Sequence, residues 1–301
     1  MSEEKEKVLE MVADGTITAS EGARLLEALG SEGFIEKKQK AARKRRITKT
    51  RTMISEIGPM IQATMGDVFK GRKSFHSYEN MAFEEVESVS EEVEDQQELV
   101  LYGEGGRGKS LSITLSRSED DFLRASLDND SPIKTGRKND KRILLWTSGE
   151  LSVQVPDNLS FVKVFSKGGG ISSSDVRVPV ELKTMGGGID ISNPGDSFSI
   201  KTMGGGLDIS LDSTWKGDSK AKTMGGGISI HLTDDVSALI NASTLGGSIS
   251  VGGNDPEIIS DSGRDYGKSK ISVRYGSDEN LHKLSVISMG GGIVIEGESD
   301  E

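Results

Sequence analysis

Through residues 98–297 apolar and polar side chains alternate over short runs that end at glycine, the pattern of strands with one buried face. Ile171, Ile189, Leu207, Ile228, Ile249, Ile271 and Ile293 open such runs at intervals of 18, 18, 21, 21, 22 and 22 residues. A second apolar pair lies upstream of the glycines, as in Val162 and Val164, Val180 and Leu182, or Phe198 and Ile200. Repetition at this period predicts a stack of similar coils, each too small to bury its own apolar face and stable only against its neighbours. The expected fold is mainly β: a single-stranded, β-helix-like β-solenoid of Gly-rich coils of 18–22 residues, with two or more strands in each.

Set in register, the coils read Lys183-Thr184-Met185-Gly186-Gly187-Gly188-Ile189-Asp190-Ile191, Lys201-Thr202-Met203-Gly204-Gly205-Gly206-Leu207-Asp208-Ile209 and Lys222-Thr223-Met224-Gly225-Gly226-Gly227-Ile228-Ser229-Ile230. Thr244-Leu245-Gly246-Gly247-Ser248-Ile249 and Met289-Gly290-Gly291-Gly292-Ile293 continue the series, and Leu151-Ser152-Val153 adds a coil upstream. Lys270-Ile271-Ser272-Val273 keeps the strand without the glycines. The glycines are expected to supply positive φ and close stacking of turn on turn. Met185, Met203, Met224, Leu245 and Met289 are expected to form a ladder that fills the core. Residues 98–102, 110–115, 122–127 and 142–147 alternate like strands and form either the first coils or a capping sheet.

Upstream the period changes. Val8, Leu9, Met11 and Val12 make a short helical stripe that stops at Asp14-Gly15, and Thr18-Ala19-Ser20-Glu21 has the form of a capping box opening a second helix over residues 19–29. The helical hairpin of residues 1–30 is too small to stand alone, so Leu25, Leu26 and Leu29 either dock on the rest of the chain or associate with another copy. A basic linker follows over residues 31–52, carrying Lys37, Lys38, Lys40, Arg43, Lys44, Arg45, Arg46, Lys49 and Arg51 with no acid between them. An amphipathic helix is expected over residues 53–70, where Met53, Ile54, Ile57, Met60, Ile61, Met65, Val68 and Phe69 share one face and Pro59 kinks or restarts it. An acidic linker, residues 71–97, precedes the repeats.

Cations joined to an amphipathic helix suit an anionic membrane surface, at about 1 kcal/mol per cation near the lipid. The alternatives are that the helix caps the open end of the solenoid and hides its edge strands, or that the cations meet nucleic acid. Against nucleic acid stand the absence of aromatic platforms in the run and a net charge of -11. The alternative to a plain acidic linker is that Glu84, Glu85, Glu87, Glu91 and Glu92 fold back on the basic run and mask it, which would make membrane or partner binding switchable.

Residues 6–29 resemble the short N-terminal domain of YvlB-like bacterial and archaeal proteins. The Gly-Gly-Gly-Ile-Asp-Ile type of repeat over residues 98–297 resembles the "putative adhesin" family, a domain of unknown function also called the toastrack domain. Together the resemblances imply a protein of bacterial envelope-stress systems, a scaffold with membrane-anchored partners and no catalytic residues to carry over.

No stretch approaches the 18 apolar residues of a membrane span and the first residues are acidic, so the expected location is cytoplasmic and peripheral to the membrane. Zero cysteines remove disulfides, thiolate metal sites and cysteine nucleophiles. The glycine triplets lack the Lys-Ser or Lys-Thr ending of a phosphate loop, and no cofactor or small-molecule substrate is expected. Asp190 and Asp208 are the one pair placed for cation binding or glycoside cleavage; nearby Lys183 and Lys201 are expected to neutralise them. His76, His231 and His282 have no ligand spacing, and His231 is expected to follow a strand and stand exposed. The rivals to a non-enzymatic scaffold are a carbohydrate-active solenoid and a filament of solenoids stacked end to end.

Overall fold

The computed structural model describes residues 10, 11, 13, 14, 16, 18, 20, 81–93, 97–105, 111–253, 256–265, 268–277 and 281–298. The chain divides into two compact units, Met1–Ala63 and Thr64–Glu301. In the first, Glu10, Met11, Ala13 and Ser20 are helical, and the Asp14 amide donates to the Glu10 carbonyl at 2.8 Å at the turn. The rest of the expected hairpin, the basic linker and the amphipathic helix lie outside the described residues.

In the second unit the described strands form two sheets. Each coil contributes one strand to each sheet. The coils are β3 (Glu98–Gly103) with β4 (Leu111–Arg117), β7 (Lys141–Trp146) with β8 (Gly149–Val155), β9 (Phe161–Ser166) with β10 (Ile171–Ser174), and β11 (Val180–Thr184) with β12 (Ile189–Ser192). They continue as β13 (Phe198–Thr202) with β14 (Leu207–Leu211), β15 (Ser219–Thr223) with β16 (Ile228–Leu232), β17 (Ala238–Thr244) with β18 (Ile249–Gly252), and β21 (His282–Ser288) with β22 (Ile293–Gly297). Coil strands pair in parallel and in register, Ile171↔Ile189↔Leu207↔Ile228 in one sheet and Val162↔Val180↔Phe198 in the other. The two apolar columns meet as one core, in which Leu182, Ile200, Ile209, Ile230, Val286 and Ile295 are fully buried. The β-solenoid expected from the alternation is therefore the fold, with two strands per coil.

Spatial order departs from chain order at both ends. The 12-stranded sheet, sheet A, runs β1-β6-β7-β3-β9-β11-β13-β15-β21-β17-β20-β19, where β1 is Glu84–Val86, β6 Ile133–Lys138, β19 Glu257–Asp265 and β20 Lys268–Tyr275. The 10-stranded sheet, sheet B, runs β18-β22-β16-β14-β12-β10-β4-β8-β5-β2, with β2 at Ser88–Glu92 and β5 at Phe122–Leu127. The first coil of the chain is thus the second in space, and the last coil slots between the β15–β16 and β17–β18 coils. At each end an antiparallel excursion lets the chain skip a place: β5 and β6 at one, β19 and β20 at the other.

Three expectations are corrected here. Ile271 is not a coil strand: it lies on β20, antiparallel to β17 with Ala242 opposite it, in sheet A rather than in the Ile189 column of sheet B. Alternation carries no strand direction, and the missing glycine triplet was the sign that no turn from sheet A to sheet B leads into Ile271. The segment read as an acidic linker contains β1 and β2, paired antiparallel with β6 and β5. Its acids hid the alternation because they face cations, Glu85 meeting Lys134 of the adjacent strand β6 at 3.2 Å and Glu91 meeting Arg137 at 2.9 Å and Arg142 at 2.7 Å on the opposite sheet. Finally, none of the triplet glycines has positive φ among the described residues. Close stacking alone demands the middle glycine: a Cβ on Gly205 would lie 2.3 Å from the Gly187 carbonyl oxygen and 2.4 Å from the Gly188 nitrogen.

Candidate functional site

The glycine turns are held by a column that the alternation did not pick out. Thr184, Thr202, Thr223, Ser288 and Thr244 end their sheet A strands with fully buried side chains. Each hydroxyl accepts from the amide three residues on, as Gly205 N to Thr202 Oγ1 at 3.2 Å and Gly226 N to Thr223 at 3.2 Å. Each also donates to the middle glycine of the adjoining coil: Thr184 to Gly169 at 2.6 Å, Thr202 to Gly187 at 2.6 Å, Thr223 to Gly205 at 2.7 Å, Ser288 to Gly226 at 3.0 Å, Thr244 to Gly291 at 2.8 Å. One hydroxyl thus shapes its own turn and bolts it to the next coil, which satisfies backbone groups that close stacking would otherwise orphan. The methionine column expected in the core is one residue further on, half-buried at the outside of the turns; Met185 and Met203 pack on the outer face of sheet A against the stacked rings of Tyr102 and Phe165, 5.2 Å apart. Strand parity decides this: Thr is the inward residue, so Met points out. The Thr or Ser recurring before each Met or Leu of this column was the available signal.

Sheet B presents small polar residues on its outer face. In coil order one column reads Ser152, Thr114, Ser172, Asp190, Asp208, Ser229, Val294, Ser250, and its neighbour Gln154, Ser116, Ser174, Ser192, Ser210, His231, Glu296, Gly252. A shallow groove of about 670 Å³ follows the first column past Thr114, Ser172, Asp190, Asp208 and Ser229. Asp190 and Asp208 stand opposite each other in register, and partial burial, then the Asp208 charge, raises the Asp190 carboxyl above its ordinary value. Lys183 and Lys201 do not neutralise them, contrary to expectation, because both lie on sheet A. There Lys183 pairs with Glu181, which Lys163 also meets at 3.1 Å. Burial opposes the Glu181 charge, yet Lys183 and then Lys163 hold its carboxyl below its ordinary value. His231 lies within β16 rather than after it, half-exposed, 3.8 Å from both Asp208 and Glu296.

A second cavity, about 650 Å³, sits at the corners opposite the glycine turns and is lined by Asp212, Trp215, Lys216, Asp235, Ser237 and His282. Trp215 is buried between Phe198 and His282, its indole N–H donating to Ser219 at 3.1 Å, while His282 Nδ1 accepts from the Gly217 amide at 3.1 Å. These bonds fix the Trp215 and His282 rings in place at the corner. Among the described residues no three carboxylates or histidines gather as a metal site, and no helix is long and apolar enough to cross a membrane. The sequence-predicted docking residues Lys37, Lys38, Lys40, Arg43, Lys44, Arg45, Arg46, Lys49, Arg51, Ile54, Ile57, Ile61, Met65 and Val68, and the association residues Leu25, Leu26 and Leu29, lie outside the described residues.

Residues 3–33 match the SHOCT-like domain family (SHOCT-like DUF2089-C). No curated protein matches the chain. Among solved structures, a "putative cell adhesion protein" from Clostridium sporogenes aligns at 14% identity and TM-score 0.40 over 71% of this chain and all of its own. A "putative adhesin" from Bacteroides fragilis aligns at 10% identity and TM-score 0.28, covering 71% of this chain and 97% of its own. Another from Parabacteroides merdae gives 13% and 0.29, with 72% and 97% covered. The architecture rests on the strand register given above.

Proposed function

We propose that this chain is a non-enzymatic scaffold that assembles at the anionic cytoplasmic face of a membrane, in envelope-stress sensing or assembly, with the solenoid as its rigid, adhesin-like body. The observation that carries the reading is the run of nine cations over residues 37–51, leading directly into the apolar stripe Ile54, Ile57, Ile61, Met65 and Val68 on a chain of net charge -11. Concentrated positive charge on an otherwise acidic chain selects an anionic surface, and the apolar stripe adds burial at the headgroup boundary. The solenoid supports the reading as body: the hydroxyls of Thr184, Thr202, Thr223, Thr244 and Ser288 are committed to joining coils. Leu25, Leu26 and Leu29 supply a face for self-association. Flotation of the full chain, and of a truncation starting at Phe75, with neutral and anionic vesicles across a salt series is the test. Binding of the full chain alone to anionic vesicles, released by salt, supports the proposal; no flotation of either refutes it.

A second reading rests on the in-register pair Asp190 and Asp208 in the sheet B groove, whose strand spacing of about 4.8 Å lies near the roughly 5 Å of retaining glycosidase carboxylates. A glycan panel decides: cleavage abolished by Asp190→Asn establishes it, and no cleavage removes it.

A further inference from the structure

The two ends of the coil stack are finished differently. At one end both sheets extend beyond the outermost coil by two antiparallel strands, β6 and β1 in sheet A facing β5 and β2 in sheet B. At the other end sheet A again extends by two strands, β20 and β19, but among the described residues sheet B stops at β18. The result is a step in which the inner face of β19 has no sheet opposite it. Two large apolar side chains stand exposed on β19 among polar ones: Ile258, paired with Val273 and therefore on the inward side, is 55% exposed, and Ile259 is 48% exposed, beside exposed Glu257, Ser260, Asp261 and Ser262. The core column, buried in the inner coils, is only half-buried at Ile249 and Val251 of β18. The Ile293 amide donates to Ser248, which turns residues 248, 250 and 252 toward β22 and aims the amides and carbonyls of Ile249 and Val251 outward.

We infer that this step is a homodimer interface, a lap joint in which β19 of each copy extends the partner's sheet B from β18. The occupant is a second copy because the fit is self-complementary: each molecule has two strands too many in one sheet and two too few in the other, the condition for an isologous two-fold contact. The joint buries both copies of Ile258 against each other and pairs edge groups that soluble proteins otherwise protect. The opposite end does not compete, since both sheets extend there by two strands and leave no step. The contact therefore closes at two copies and does not propagate as a filament. This inference is independent of the membrane reading.

The test is light-scattering mass of the full chain over a hundredfold concentration range, with variants Ile258→Lys and Val251→Pro. Ile258→Lys falls on an exposed side chain; Val251→Pro replaces a half-buried apolar residue of the edge strand with another apolar one and removes an outward amide that bonds nothing in its own ladder. Dimer at twice the 32.2 kDa chain mass is expected for the wild type, with dissociation at least tenfold weaker in each variant and unchanged far-UV circular dichroism. A wild-type monomer throughout overturns the inference. So does a dimer that survives both variants but is lost in Leu25→Asp, which assigns association to the N-terminal leucines, and so does capture of an unrelated strand peptide in place of the second copy.

Discussion

Replacing Thr202 by valine tests how the coils are held together. Valine keeps the shape and raises strand propensity, so a view of the column as apolar filling predicts no loss or a small gain. The hydrogen bonds predict the opposite. Thr202 Oγ1 donates to the Gly187 carbonyl at 2.6 Å and accepts from the Gly205 amide at 3.2 Å, and the side chain has no exposed surface. Each bond contributes about 1 kcal/mol net, and each buried partner left unmade costs about 1–3 kcal/mol, so the valine variant should lose about 2–4 kcal/mol. Thr202→Ser keeps the hydroxyl and removes one methyl, a loss of about 1 kcal/mol. Because solenoid coils open locally, the reading is amide exchange at Gly205 and in the β13–β14 coil alongside urea unfolding. The order wild type, serine, valine is expected; a valine variant as stable as wild type, or more stable than serine, refutes the hydroxyl ladder.

The glycine triplets give a graded series. Gly205→Ala should be severely destabilising because its Cβ meets backbone at 2.3 Å, Gly204→Ala milder at 3.0 Å, and Gly168→Ala silent with nothing within 4 Å; thermal melts rank them, and equal melting points would contradict the stacking geometry. Asp208→Asn removes a like-charge neighbour of Asp190 and should stabilise by about 0.2–1 kcal/mol at neutral pH, with the gain vanishing once Asp190 is protonated in acid. Glu181 has its carboxyl held below the ordinary 4.5, so its contribution is present above that pH and is lost as the pH falls through the folded value; Glu181→Gln should flatten this part of the acid limb of a stability–pH curve. Burial, then the Glu296 charge, pushes the Tyr275 hydroxyl up to about 12, so between pH 10 and 12 the unfolded chain ionises first and stability falls. Tyr275→Phe should remove that alkaline loss, though it also forfeits the 2.8 Å bond to the Gly252 carbonyl.

The coil repeat was legible because each coil repeats the same alternation at a nearly fixed interval, and Ile189, Leu207 and Ile228 do fall in one column. Coil order was not. The pairing of β21 with both β15 and β17 is set by the β19–β20 excursion, and nothing in Ile293 itself distinguishes an inner from an outer place. One end was obscured for an electrostatic reason: β1 and β2 are acid-rich strands whose matching cations lie far along the chain, Lys134 on the partner strand of β1 and Arg137 and Arg142 on the sheet opposite β2, so composition alone reads them as solvated linker. On the site, Asp190 beside Asp208 was readable from the interval of 18 residues, whereas the position of Lys183 on the other sheet required knowing that each coil turns between Lys183 and Ile189. The threonine column was visible in the motif but was passed over, because a polar residue before a turn ordinarily faces water.

Methyl–methyl contacts among three isoleucines test the coil order most directly. Register places Ile293 beside Ile228 on one side and beside Ile249 on the other, neighbours at about 4.8 Å, with Ile228 and Ile249 about twice that apart. In methyl-labelled protein, strong nuclear Overhauser cross-peaks from Ile293 to both Ile228 and Ile249, with the Ile228–Ile249 peak far weaker, are the predicted result. A strong Ile228–Ile249 peak with Ile293 touching only Ile249 would mean that the coils stack in chain order, and both the crossover and the stepped end would fall with it.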